Sequence, residues 1–137
     1  MALISSKGFY GLSAMYELSL IKTDKPTQIK DISKRASIPQ NYLEQLLVVL
    51  KRAGLITSVR GAHGGYFLAR SANDIMIKDI FIALEGDLSV VDMDIQNPVL
   101  KMFYDKSNKK LKEIFNIPLS KLDEYEEILR GQINYII

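Results

Sequence analysis

The chain has 137 residues, of which 47% are hydrophobic and 25% are charged, an ordinary composition for one globular domain or one domain with a dimerisation arm. It contains no cysteine and a single histidine, which excludes disulfides, thiolate catalysis and cysteine-based metal sites. Residues 1–70 carry ten lysines and arginines against four acidic residues, whereas residues 71–137 carry eight against twelve. This charge distribution favours a polyanionic partner for the first half only. The alternative is that both halves simply have solvated charged surfaces.

Two helices are predicted in the first 36 residues. The first is capped by Ser5 or Ser6 and runs to about residue 21, because apolar side chains recur there with helical spacing. A proline then breaks the helix. Thr27 is the predicted N-cap of a short second helix that runs from Gln28 to about Arg35. The apolar stripe of the first helix consists of Tyr10, Ala14, Leu18 and Ile21.

A third helix follows after a tight turn. Pro39 suits the start of a helix, and Gly54 suits a left-handed C-terminal cap. Leucines at three- and four-residue spacing predict a buried stripe, whereas the leading end carries short polar side chains that can read hydrogen-bond edges. The leucines are Leu43, Leu46, Leu47 and Leu50, and the polar residues are Gln40, Asn41, Glu44 and Gln45.

A β-hairpin is predicted directly after the third helix. Residues 55–59 and 66–69 have the composition of strands, and the loop between them holds three glycines and Arg60. These glycines lie in a hairpin and not ahead of a helix, so we assign them to turn geometry. Two helices that are joined by a tight turn and followed by such a hairpin form a winged helix-turn-helix. In this fold the second helix of the pair enters the major groove of DNA.

The second half of the chain is predicted to be helical. A short helix spans residues 77–84 and ends at the Glu85-Gly86-Asp87 sequence, and residues 88–95 are interpreted as a loop. A longer helix runs from Asn97 to about Phe115. Ser120 caps a final helix that ends at Gly131, and the apolar tail of residues 132–137 has no predicted structure.

Three sequence motifs together resemble one family. They are SKGFYGL at residues 6–12, YLEQL at 42–46 and VRGAHGGYFL at 59–68, in this order and at these separations. The chain is similar to the Rrf-type winged-helix transcriptional regulators, which include IscR, NsrR and CymR. The resemblance is clear for residues 1–87, the expected winged helix-turn-helix DNA-binding domain. It is looser for residues 88–137, the expected dimerisation and signal-receiving helical region.

The resemblance places the DNA contacts on the third helix and the wing. For the lysines we expect phosphate contacts, with a solvated surface as the alternative. Tyr42 is expected to contact DNA, and the alternative is that its ring packs at the turn between the helices. His63 is interpreted as a wing-tip residue without a sensing role. The expected contacts are Gln40, Asn41, Tyr42, Glu44 and Gln45 on the helix, Arg60 and Gly61 on the wing, and Lys7, Lys34 and Lys51 at phosphates.

The resemblance also implies a homodimer in which the long helix crosses to its partner. The residues expected at this contact are Leu100, Phe103, Tyr104 and Leu111. A helix of the core within one chain is the alternative. Family members that bind an iron–sulfur cluster carry three cysteines between the short and the long helix. Here that interval offers only Asp87, Asp92 and Asp94, which are hard oxygen ligands. We therefore predict no cofactor, as in a cysteine-free, CymR-like branch that responds to a partner protein or a small molecule.

The predicted function is that of a dimeric, sequence-specific DNA-binding regulator, a repressor at an inverted repeat by analogy with the family. The alternative is a winged-helix protein-interaction module that has lost DNA binding. An enzyme is not expected, since no catalytic constellation is present. The chain start lacks the apolar segment of a signal peptide and no apolar run reaches the length of a membrane span, so we expect a cytoplasmic protein.

Overall fold

The computed structural model describes the backbone of residues 2–136 and the side chains of residues 2–132. It is mostly helical with one two-stranded antiparallel hairpin, as the sequence predicts. Two short 3-10 turns, Ala72–Asp74 and Leu119–Lys121, flank α4 and α5. The elements in chain order are α1 (Ser6–Leu20), α2 (Ile29–Ala36), α3 (Gln40–Arg52), β1 (Ile56–Val59), β2 (Gly65–Leu68), α4 (Ile77–Glu85), α5 (Pro98–Phe115) and α6 (Leu122–Ile136).

One hydrophobic core lies between α1, α3 and α4. Full burial of a leucine or isoleucine contributes roughly 1.5–3 kcal/mol, so this cluster supplies much of the driving force for folding. Among the helices that the structure describes, none is long and apolar enough to cross a membrane. The predicted stripe is buried in full: Leu43, Leu46, Leu47 and Leu50 from α3 meet Ile77, Ile80, Phe81 and Leu84 from α4.

Helices α1 and α4 pack at very short range because α1 presents glycines to α4. A Cβ added to Gly11 would lie 1.8 Å from Leu84 Cδ1, and one added to Gly8 would lie 2.5 Å from Glu85 Oε1. Such distances leave no room for a side chain. The predicted apolar stripe of α1 omitted these two glycines, although both lie against the end of α4.

The N-terminus of α1 is capped from a distance. Ser5 occupies the N-cap position, but its side chain makes no capping bond within its own helix. Instead, the Glu85 carboxylate accepts hydrogen bonds from Ser5 N–H at 2.9 Å, Ser5 Oγ at 2.6 Å and Gly8 N–H at 3.0 Å. Glu85 is the last residue of α4, so it joins the end of one helix to the start of another.

The turn between α2 and α3 is tight because Ser37 adopts a left-handed conformation, with φ of 56°. Ser33 Oγ donates a hydrogen bond to the carbonyl oxygen of Ile38 and closes the turn. Gly54, which follows the C-cap residue Ala53 of α3, has φ of 77°, and this confirms the predicted left-handed cap.

Three predicted helix boundaries are wrong. Thr27 does not cap α2; Gln28 is the N-cap residue, because the backbone of Thr27 pairs instead with Tyr66 in the wing. Ser120 lies inside a 3-10 turn and the last helix begins at Leu122. That helix does not end at Gly131 but continues to Ile136, since one glycine weakens a helix without forcing it to stop.

The segment after α5 returns to the core of the first half of the chain. Ile77 N–H donates to the Ile117 carbonyl oxygen at 2.8 Å, and Leu119 N–H donates to the Ile75 carbonyl oxygen at 2.8 Å. Leu88 and Leu119 are 2% and 1% exposed within the same core. The predicted division at residues 87 and 88 therefore does not separate two cores, and it stays a prediction about function.

Candidate nucleic-acid interface

The leading end of α3 is polar and open to solvent. Its buried leucines face the core, so the other side of the helix carries the exposed residues. The four polar residues that the sequence singled out all lie there: Gln40, Asn41, Glu44 and Gln45. Their amides and carboxylate can donate to or accept from base edges, which is what a major-groove helix requires.

The hairpin beside α3 is a short, tightly turned wing. Its strands pair in antiparallel register from Ile56 opposite Leu68 to Val59 opposite Gly65. The tip closes with a hydrogen bond of 2.9 Å from Gly64 N–H to the Gly61 carbonyl oxygen. A Cβ on Gly64 would lie 2.1 Å from the Val59 carbonyl oxygen, so the turn requires a glycine there. The glycines thus shape the turn, as predicted.

The wing is tied to the helix-turn-helix at two points. Thr27 and Tyr66 exchange backbone hydrogen bonds of 3.0 and 2.8 Å. A Cβ on Gly65 would lie 2.4 Å from the Thr27 carbonyl oxygen, so this close approach depends on glycine. Nearer the tip, Gln28 Nε2 donates to the Ala62 carbonyl oxygen at 3.2 Å.

A basic cleft of about 510 Å³ opens between the wing and the helices. Three cations border it, and none forms an ion pair with any side chain that the structure describes. An elongated polyanion such as a DNA strand would bring phosphates to these cations. The polar and charged residues that border the cleft are Gln28, Lys30, Gln40, Lys51, Ser58 and Arg60.

The structure brings together some of the sequence-predicted contacts and separates others. Gln40, Lys51, Arg60 and Gly61 border the cleft. Lys7 and Lys34 are exposed, but neither lines the cleft. Gln28, Lys30 and Ser58 also border the cleft, although they were not predicted as contacts from the sequence. Of these three, only Lys30 had a feature in the sequence that pointed to DNA binding, since it is one of the ten basic residues of the first half.

Tyr42 differs from the other expected contacts because it is half-buried. Its ring packs edge-to-face on Tyr10, with centroids 5.8 Å apart and an interplanar angle of 80°. It also lies against the core. This geometry supports the packing alternative, and a role of Tyr42 at DNA stays a prediction. His63 is exposed at the wing tip.

Helix α5 exposes an apolar side. No residue of this helix, all of which the structure describes, is buried, and large apolar side chains lie in solvent along its first half. Of the expected contact residues, Leu100 is 50% and Phe103 is 60% exposed, whereas Tyr104 and Leu111 are half-buried. Leu111 packs against the core of its own chain, so for this residue the structure supports the alternative of a core helix within one chain.

A tight helix-turn-helix with a β-hairpin wing and a basic cleft between them defines a winged-helix regulator. The chain belongs to the Rrf2 family: the family model, described as an iron-dependent transcriptional regulator, matches residues 4–126. Both the fold class and the family resemblance inferred from the motifs are thereby confirmed.

Relatives of the chain include protein rrf2 and an HTH-type transcriptional regulator. Protein rrf2 of Nitratidesulfovibrio vulgaris is 41% identical over 95 residues, which are 69% of this chain and 63% of that protein. CymR of Bacillus subtilis, an HTH-type transcriptional regulator, is 37% identical over 114 residues, 82% of this chain and 83% of CymR. The match thus spans less than two thirds of the first of these relatives.

Solved structures agree with this assignment. The structure of CymR, described as the global cysteine regulator of B. subtilis, superposes with a TM-score of 0.78 at 36% identity, covering 91% of this chain and 98% of CymR. IscR of T. potens superposes with a TM-score of 0.75 at 40% identity, covering 91% of this chain and 89% of that one. Both comparisons favour a regulator over an enzyme.

The residues between α4 and α5 do not fit an iron–sulfur cluster. Thiolates are its usual ligands, and the chain has no cysteine. Glu85 is engaged at the start of α1. Lys112 Nζ lies 3.1 Å from Asp87 Oδ1, and its hydrogen bond holds the pKa of that carboxyl below the usual value. Among the described residues, no three acidic or histidine side chains are grouped so as to hold a metal ion.

Proposed function

We propose that the chain is a sequence-specific, dimeric DNA-binding regulator that represses transcription from an inverted-repeat operator. The observation that carries this proposal is the exposed polar end of α3 beside a basic cleft closed by the wing. The location that goes with this role is the cytoplasm, where regulators of this class meet DNA.

The polar residues of α3 would read bases in the major groove. Gln40 or Gln45 can bond an adenine with both the oxygen and the nitrogen of its side-chain amide, and each such pair discriminates by about 1–3 kcal/mol. Glu44 can accept from a cytosine amine but repels phosphate, so it would set specificity more than affinity. Asn41 has the same amide chemistry as the glutamines, with a shorter reach.

The wing would lie along the minor groove and the backbone. Arg60 at its tip suits the negative potential of a narrow minor groove, and Gly61 lets the backbone come close. Lys30 and Lys51 on the helix side of the cleft are placed for phosphates, and Lys7 and Lys34 are outlying candidates.

The partner expected at α5 is a second copy of this chain. Leu100 and Phe103 are large apolar side chains left in solvent, as a helix that packs on its symmetry mate requires. A two-fold dimer presents two α3 helices to two half-sites, hence the inverted repeat. The solved structures of CymR share the fold of this chain, including the region of α5.

The proposed regulator works without an iron–sulfur cluster, because the chain lacks the thiolates such a cluster needs. Its signal would then come from a partner protein or a small molecule. The proposed regulator would therefore differ from the iron-dependent regulators that the family description names.

The decisive experiment selects binding sites from a genomic DNA library and follows affinity against salt. We expect an inverted repeat bound at nanomolar strength, with a steep loss between roughly 50 and 200 mM salt, as several phosphate contacts require. Arg60→Ala should lower affinity about tenfold with an unchanged fold. Arg130→Ala, an exposed arginine on α6, is the matched control. Weak binding without sequence preference would instead support the interaction module.

A further inference from the structure

The position of the wing tip depends on what ties it to the helices. The wing has two strands of four residues, and an isolated hairpin of this size is only marginally stable. Residues 60–63 at its tip are exposed and contribute nothing to the core. Strand pairing ends at Val59, so the position of Arg60 relative to α3 depends in part on contacts that restrain the tip.

One side chain supplies that restraint. Among the side chains that the structure describes, only that of Gln28 hydrogen-bonds to residues 60–64, through its Nε2 and the Ala62 carbonyl oxygen at 3.2 Å. Gln28 is half-buried and occupies the N-cap position of α2, so it is fixed to the helix that leads directly into α3. The Thr27–Tyr66 pair holds the wing at its strands, but it lies outside the tip loop.

We propose that Gln28 is a positioning residue, which holds the wing tip so that Arg60 and α3 reach one DNA half-site together. This inference rests on the proposed DNA-binding function. Without the bond, the tip samples more positions, and binding must order it at a cost in affinity. The effect of Gln28 thus passes through Arg60.

A direct contact between Gln28 and DNA is the competing explanation, since Gln28 also borders the cleft. The two explanations predict different double-mutant cycles. A direct contact weakens binding equally whether or not Arg60 is present. A positioning role loses most of its effect once Arg60 is removed, because there is no longer a tip cation to place.

The test compares the full-length wild type with Gln28→Met, Arg60→Ala and the double variant on the selected operator. Methionine keeps the length of the side chain and removes the donor. We expect Gln28→Met to weaken binding about three- to tenfold, the effect of one net hydrogen bond. In the Arg60→Ala background we expect a loss below about twofold. Gln96→Met, at an exposed glutamine in the loop before α5, should bind as the wild type does.

A measurement without DNA separates a local restraint from a folding defect. NMR relaxation of the backbone amides should report lower order for Ala62 and His63 in Gln28→Met, with an unchanged Tm. Wild-type affinity in Gln28→Met, an equal loss in both backgrounds, or an unchanged order at the tip would each overturn the proposal. If the wild type selects no DNA, the proposed function fails, and the relaxation measurement alone decides whether Gln28 restrains the tip.

Discussion

Gln45 lies on the exposed side of α3, where its amide is free of the core, so it can test the proposed base-reading role of that helix. Replacement by alanine should leave the fold intact and relax the base preference at one position in each half-site. The expected cost is about 1–3 kcal/mol at that position. The motif selected by Gln45→Ala measures this, and an unaltered motif would remove Gln45 from base reading. Gln132→Ala, on α6, serves as the control.

Glu85 shows how one carboxylate can stabilise two helices. It accepts three hydrogen bonds from Ser5 and Gly8, and a charged acceptor strengthens each of them. We expect Glu85→Ala to lower the free energy of unfolding by about 2 kcal/mol and Glu85→Gln by less, because the amide oxygen can still accept.

Urea denaturation measures both Glu85 variants. Glu127→Ala, an exposed acid on α6, should change stability by less than about 0.5 kcal/mol. Equal stability of Glu85→Ala and the wild type would show that the distant cap contributes nothing to folding.

At the scale of elements, two glycines in helices should respond in opposite directions to the same change. Gly11→Ala places a methyl group 1.8 Å from Leu84 Cδ1, so the buried Leu84 side chain must leave its rotamer or α1 and α4 must separate, at a net cost of about 1–3 kcal/mol. Gly131→Ala meets open space inside α6, so the better helix propensity of alanine should stabilise the protein by up to about 1 kcal/mol.

Thermal unfolding of the two glycine variants gives the comparison directly. A stabilising Gly11→Ala would contradict the close contact of α1 with α4. A destabilising Gly131→Ala would contradict the continuation of α6 through residue 131.

The helices with local start and stop signals were predictable from the sequence. The leucine stripe, Pro39 and Gly54 defined α3 to within a residue, and the glycine loop defined the wing. Contacts between distant residues were not predictable in the same way. No local pattern indicates that Glu85 caps α1, that Gly11 meets Leu84 or that Thr27 pairs with the wing.

The candidate site was predictable in its composition but not in its shape. The sequence indicated the polar end of α3 and Arg60 because both stand in recognisable motifs. Gln28 and Lys30 precede the turn and belong to no motif. They join the site only because the Thr27–Tyr66 pair brings the start of α2 against the wing.

At the scale of the whole molecule, the proposed dimer depends on the exposed side of α5. Phe103→Lys should leave the monomer folded, since this side chain is 60% exposed, but should place a charge at the centre of the contact. We expect a monomer at micromolar concentration in sedimentation, and binding to the inverted repeat weakened by at least tenfold because the half-sites are no longer read together.

Lys106→Ala on the same helix is the control for this experiment and should remain dimeric. If Phe103→Lys sediments as a dimer, the interface lies elsewhere. If the wild type itself is a monomer at micromolar concentration, the dimer proposal fails.

Under the proposed dimer, the exposed side of α5 would also link regulation to the supply of the protein. While most of the protein is monomeric, the concentration of a dimer rises with the square of the monomer concentration. A twofold change in synthesis then changes the amount of operator-competent protein by up to about fourfold. The copy number of the gene would thus change the extent of regulation by itself, in addition to any effector.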